Sequence, residues 1–120
     1  MSIISIGLIA LIALIHFYIM WFEMFKWTSR GPKVFKEFPE TLFEPTVSMA
    51  GNQGLYNGFL GAGLVWSLVI TDSEWKVNVA VFFLVCIAIA GVYGMATASK
   101  KIIFVQTVPA VLALASLWLF

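Results

Sequence analysis

Charge is scarce in this 120-residue chain. Asp, Glu, Lys and Arg make up 11% of it and leave a net +1, against about 25% charged residues in soluble domains. So little basic charge excludes the electrostatic footprint of a nucleic-acid binder. Cysteine is scarcer still. Cys86 stands alone, which excludes an intrachain disulfide or a paired-thiol redox motif. Inside an apolar run it reads as a small hydrophobe. His16 is the one histidine. It has no second His or Cys at ligand spacing, so no metal or haem set is expected. No glycine loop of the phosphate-cradling kind occurs outside an apolar run, and no serine has a visible base and orienter. No cofactor is expected.

Apolar residues are what the chain has, at 62%. A soluble core of this length cannot hide that much surface, whereas lipid can. The bilayer is therefore the expected partner. Ile3 to Phe22 is an almost unbroken apolar run, about 30 Å long as a helix and so matched to a bilayer core. No basic residue precedes it, as one would in a secretory signal, and a retained helix is expected. Further runs and breaks put helices at about 3–25, 49–70, 76–98 and 102–120 of one domain, 1–120. Strands are disfavoured because open sheet edges cannot face lipid. The expected fold is all-α, a four-helix transmembrane bundle with a long first loop.

Six of the seven basic residues fall in the first and third loops: Lys26, Arg30, Lys33, Lys36, Lys100 and Lys101. Lys76 alone is on the other side. By the positive-inside rule these loops are cytoplasmic and both termini extracytoplasmic, in a multi-pass protein of the cell membrane. Val34, Phe35, Phe38, Leu42 and Phe43 recur at helical spacing in the first loop, and Pro32, Pro39 and Pro45 keep any helix short. The spacing predicts short amphipathic turns at the cytoplasmic surface.

Polar groups inside apolar spans cost free energy unless paired, so they mark the candidate site. His16 and Glu23 are two turns apart on one face of the first span, with Met20 between them. The second span opens Asn52-Gln53-Gly54-Leu55-Tyr56-Asn57-Gly58. Asn52 and Tyr56, and Gln53 and Asn57, form an i, i+4 polar stripe. Gly51, Gly54, Gly58 and Gly61 form a smooth one, expected to meet Ala90, Gly94 and Ala98 of the third span or a second copy of the chain. Gln106 and Thr107 lie at the same depth in the fourth span, before Pro109, whose missing N–H frees the carbonyl of Val105. All of this falls in the cytoplasmic half, and the outer half reads as nearly featureless. A polar cavity opening inward is the expectation. His16, Glu23, Asn52, Gln53, Tyr56, Asn57 and Gln106 are the candidate ligand-binding residues. Trp21, Trp27, Trp66, Trp75 and Trp118 read as interface or packing residues.

His16, Tyr18, Glu23-Met24-Phe25 and Trp27, with the later run Asn52 to Leu60, resemble a family of small bacterial and fungal four-helix membrane proteins. The family is catalogued as a domain of unknown function, number thirteen hundred and four. The resemblance covers essentially the whole chain. It implies a membrane location and four helices, and says nothing of activity. It also implies that His16, Glu23, Asn52, Gln53 and Asn57 form the family's shared site.

Three functions suit these residues. The first is binding or transport of a small amphipathic molecule through the polar cavity. The second is a membrane enzyme of isomerase type on a lipid-like substrate, with His16 and Glu23 as acid and base. The third is a structural or accessory subunit whose polar stripe fixes helix register. The first is preferred, and a homo-oligomer is expected because so small a chain has little internal interface.

Overall fold

A computed structural model describes all 120 residues, and the chain is all-α. Helix α1 is Ile3–Phe25, α2 Trp27–Val34, α3 Val47–Val69, α4 Ser73–Thr97 and α5 Val108–Leu119. Two 3-10 turns, Glu40–Leu42 and Glu44–Thr46, precede α3, and a π turn, Ile103–Thr107, runs directly into α5. The molecule is a rod of 48 × 22 × 18 Å. α1 lies along α3, α3 packs on α4, α4 on the π turn and α5, and α5 returns to α1. α1 and α4 are each long and apolar enough to cross a membrane, and Ile103–Leu119 is apolar but shorter.

Local chemistry sets the helix ends. The Ser2 hydroxyl accepts the Ser5 N–H at 3.1 Å and starts α1. The Asp72 carboxylate accepts the Trp75 N–H at 2.9 Å, so α4 begins at Ser73 and not at the expected Lys76. Lys76 is thereby placed one turn into α4. Its ammonium reaches back to donate to the carbonyls of Leu68 and Ile70, among those that the end of α3 leaves open.

The core joins Ile9, Ile12, Leu64, Ala80, Leu84 and Ile87 to Ala110 and Ala113. Thirty large apolar side chains lie exposed outside it, while His16, Asn57, Gln106, Ser5, Ser67 and Ser116 are buried. So many outward apolar side chains are unlike a soluble domain, although the core itself stays mainly apolar. The half that holds both termini, expected to be nearly featureless, is not so. Ser5 donates to Ser116 at 2.8 Å, Ser116 to the Ala113 carbonyl, and Ser67 to the Leu64 carbonyl. Hydroxyls that satisfy a nearby carbonyl leave little periodic trace in a sequence.

The glycine stripe meets α1, which corrects the expectation that it meets the third span. A Cβ on Gly54 would lie 2.9 Å from Glu23 Cβ and Met24 Cγ, and one on Gly61 would lie 3.2 Å from the Ala13 carbonyl and the Phe17 ring. One on Gly58 would strike the Met20 sulfur. The physical reason is that Met20 and Phe17 are large and need a groove. The small residues of α4 serve a different neighbour: Gly91 seats Thr107, and Gly94 faces Ile102. Gly51 faces open space. Gly63, off the stripe, packs on the Phe83 ring of α4. Since α1 covers Gly54, Gly58 and Gly61, that face is not free for self-association.

The first loop is more ordered than short surface turns. Trp27, Phe35, Phe38 and Phe43 stack with Phe22 at the end of α1, Trp27 and Phe43 at 5.0 Å between ring centroids. Phe43 is 1% exposed and presses on Gly31, where a Cβ would lie 2.5 Å from the ring. The Trp27 indole N–H donates to Thr46 Oγ1 at 2.9 Å, and Thr46 donates to the Leu42 carbonyl at 2.8 Å. Arg30 donates to the Tyr18 hydroxyl at 2.9 Å, and Lys101 to the Val34 carbonyl at 2.6 Å.

Candidate functional site

Two turns separate His16 from Glu23 on α1; His16 meets Gln106 of the π turn, and Glu23 meets Asn57 of α3. His16 is 0% exposed, Asn57 6% and Gln106 8%. Asn57 lies about 60° from Gly54 in helical projection, so the sector of α3 that α1 covers includes it. Asn52 and Tyr56 lie about 160° from Gly54 and Gly58 respectively, on the opposite face. Both are exposed, as is Gln53, one turn nearer the helix end. The structure therefore brings together His16, Glu23, Asn57 and Gln106. It leaves Asn52, Gln53 and Tyr56 on the outer surface, where Tyr56 packs on Phe59.

Gln106 is delivered by the π turn. Pro109 cannot donate to a carbonyl in the preceding turn, and the Val108 N–H pairs instead with the Ile103 carbonyl, five residues back. The extra residue rotates Gln106 inward. Thr107, next to it, donates to the Ala88 carbonyl of α4 at 2.9 Å and pins the turn to its neighbour.

The hydrogen bonds have one consistent direction. His16 Nδ1 lies 2.9 Å from the Ile12 carbonyl, which can only accept, so Nδ1 carries the proton. His16 Nε2 is then an acceptor and takes a bond from Gln106 Nε2 at 3.1 Å. The same amide nitrogen donates to Asn57 Oδ1 at 3.4 Å, and Asn57 Nδ2 donates to Glu23 Oε1 at 2.7 Å. His16 is held as the neutral Nδ1–H tautomer, and Glu23 is the terminal acceptor. Two carboxamides stand between them. Amides orient partners but are poor at handing protons on, so His16 and Glu23 are not arranged as a directly coupled acid and base.

Glu23 is half-buried and turned onto Asn57. Its neighbour Lys26 lies over the Trp21 ring, 5.8 Å from the centroid. Of the polar groups expected to line a cavity, His16, Glu23, Asn57 and Gln106 bond instead to one another. Two hollows on the surface are lined elsewhere, one by Trp66, Trp75 and Phe82 and another along α4 and α5. No cluster of three or more His, Cys, Asp or Glu could hold a metal ion.

Sequence reasoning missed Thr107 as the pin of the π turn and the serine clamp of the opposite end. A Thr two residues before a proline in an apolar run was the available signal for the first.

No solved structure matches the chain. A relative from Lactococcus lactis subsp. lactis (strain IL1403), described as "Uncharacterized protein YpaA", is 36% identical over 118 residues, spanning 97% of this chain and 98% of the relative. The family described as "Protein of unknown function (DUF1304)" matches residues 10–118. With its polar chain set on the segments that this match spans, the protein belongs to that family.

Proposed function

We propose that this chain is a four-span integral membrane protein that binds a small amphipathic cation at Glu23. The outer surface supports the membrane reading: thirty large apolar side chains face outward, while His16, Asn57 and Gln106 are buried and paired inside. Six basic residues at one end support cytoplasmic first and third loops, with both termini outside. With Thr71→Cys and Lys100→Cys, both exposed positions, placed singly in a Cys86→Ala background, an impermeant thiol reagent labels only the Thr71 variant in intact cells. Labelling of the Lys100 variant alone reverses the orientation.

One observation carries the ligand. The Glu23 carboxyl turns away from Lys26 and meets only a neutral amide, Asn57. A carboxylate has acceptor capacity for several donors, and an uncompensated one near apolar surroundings favours a cation. The amide chain behind it fixes its orientation. An amphipathic amine or phosphonium places its charge on Glu23 and its apolar body among the outward-facing side chains. Transport would add an opening of the amide chain to this binding step.

The closure of that chain favours a second reading, in which it locks helix register and binds nothing. Glu23→Gln separates the two, because glutamine keeps the size and the acceptor oxygen. With tetraphenylphosphonium titrated onto purified protein in detergent, the wild type binds and Glu23→Gln binds at least about tenfold more weakly, a loss of ~1.4 kcal/mol. Equal binding by both proteins, or by neither, removes the ligand site and leaves the register lock.

A further inference from the structure

An apolar groove of about 590 Å³ runs between α4 and the last helical segment, within the ~300–1,000 Å³ of small-molecule clefts. Ile89, Val92, Tyr93 and Ala96 form one wall, and Thr107 and Val111 the other. The groove faces outward, with Ile89, Val92, Tyr93 and Val111 exposed. Thr107 does not make it polar, because its hydroxyl is spent on the Ala88 carbonyl.

One end of the groove is cationic. Ala96 stands one residue before the end of α4 at Thr97, and Lys100 follows in the turn that leaves the helix. Lys101 donates to the Val34 carbonyl at 2.6 Å, which holds the end of α2, with Lys33, against this turn. Lys33 and Lys100 are exposed. Ser99 in the same turn is 4% exposed, and its hydroxyl is a buried polar group without a partner. An apolar trough with ammonium groups at its rim matches a molecule with an anionic head and a hydrocarbon tail.

We infer that this groove binds one anionic phospholipid, its phosphate at Lys100 and Lys33 and an acyl chain against Val92 and Val111. The inference rests on the membrane-spanning reading but not on the Glu23 site. Lysine attracts the anionic headgroup, and the groove gives the chain a lateral wall that a bare surface lacks.

Native mass spectrometry tests it on the full chain in detergent, with equal amounts of dioleoylphosphatidylglycerol and dioleoylphosphatidylcholine. One phosphatidylglycerol is retained in preference. Lys100→Gln lowers its retention about fivefold, the size of one lysine–anionic-lipid attraction. Val92→Trp, which fills the groove from an exposed position, removes the retained lipid while circular dichroism stays unchanged. Lys36→Gln, an exposed lysine that the proposed site does not use, has no effect. Equal retention of the two lipids by the wild type overturns the headgroup. An effect of Lys36→Gln as large as that of Lys100→Gln reduces the site to diffuse surface charge, and an inert Val92→Trp overturns the groove. Recovery of the chain in the soluble fraction without detergent is a separate result, and it defeats the membrane reading itself.

Discussion

Gly58→Leu lowers the stability of the folded chain by about 3 kcal/mol or more, at or beyond the upper end of overpacking costs. A Cβ there already collides with the Met20 sulfur, and leucine adds three more carbons between α1 and α3. Met20 is flexible and can move, but it lies between His16 and Glu23 on the face that holds the amide chain. Shifting it disturbs packing and polar contacts together. Gly63→Leu is expected to be comparably damaging, because the Phe83 ring occupies the space its side chain would need. Gly51→Leu is the control: nothing lies within 4 Å of its Cβ position, so the change stays within about 0.5 kcal/mol. Thermal unfolding of the three variants in one detergent measures this. Equal loss in Gly51→Leu and Gly58→Leu would remove the α1–α3 contact as the reason.

Asn57→Leu is the second large effect, expected at about 1–3 kcal/mol. Asn57 is the middle of the chain, donating to Glu23 and accepting from Gln106. Leucine strands both neighbours. Interhelical hydrogen bonds in membranes average only about 0.6 kcal/mol when the freed groups find other partners. Burial decides which limit applies. Gln106 is 8% exposed and His16 0%, so replacement partners are few on that side, whereas Glu23 is half-buried and can turn outward. Gln106→Leu breaks the same chain, so Asn57→Leu with Gln106→Leu costs less than the sum of the two. Gln53→Leu, on the exposed side of α3, is nearly silent. Strict additivity of the first pair would show that the two amides are not coupled.

The helices were legible from residue type and spacing. Apolar runs too long for strands, broken by Thr71-Asp72-Ser73 and Ser99-Lys100-Lys101, locate the long helical segments because hydrophobicity and turn chemistry are local properties. The same reasoning singled out His16, Glu23, Asn57 and Gln106, since a buried polar residue in an apolar run is costly wherever it packs. It also admitted Asn52 and Tyr56, which lie on the face of that segment away from α1, and Gln53, which shares the face of Asn57 but lies exposed one turn nearer the helix end.

Which faces meet was decided only by the tertiary structure. A glycine stripe says that something large can approach, and Met20 and Phe17 of α1 fill it as well as a second smooth stripe would. The π turn likewise depends on neighbours. Pro109 states that a hydrogen bond must be lost, but the Ala88 carbonyl that holds Thr107, and the direction in which Gln106 then points, belong to the packing of α4 against the last segment. Single residues carry their costs in their own chemistry. The partners that offset those costs lie 34 residues away for Asn57 and 90 for Gln106, where no local periodicity reaches.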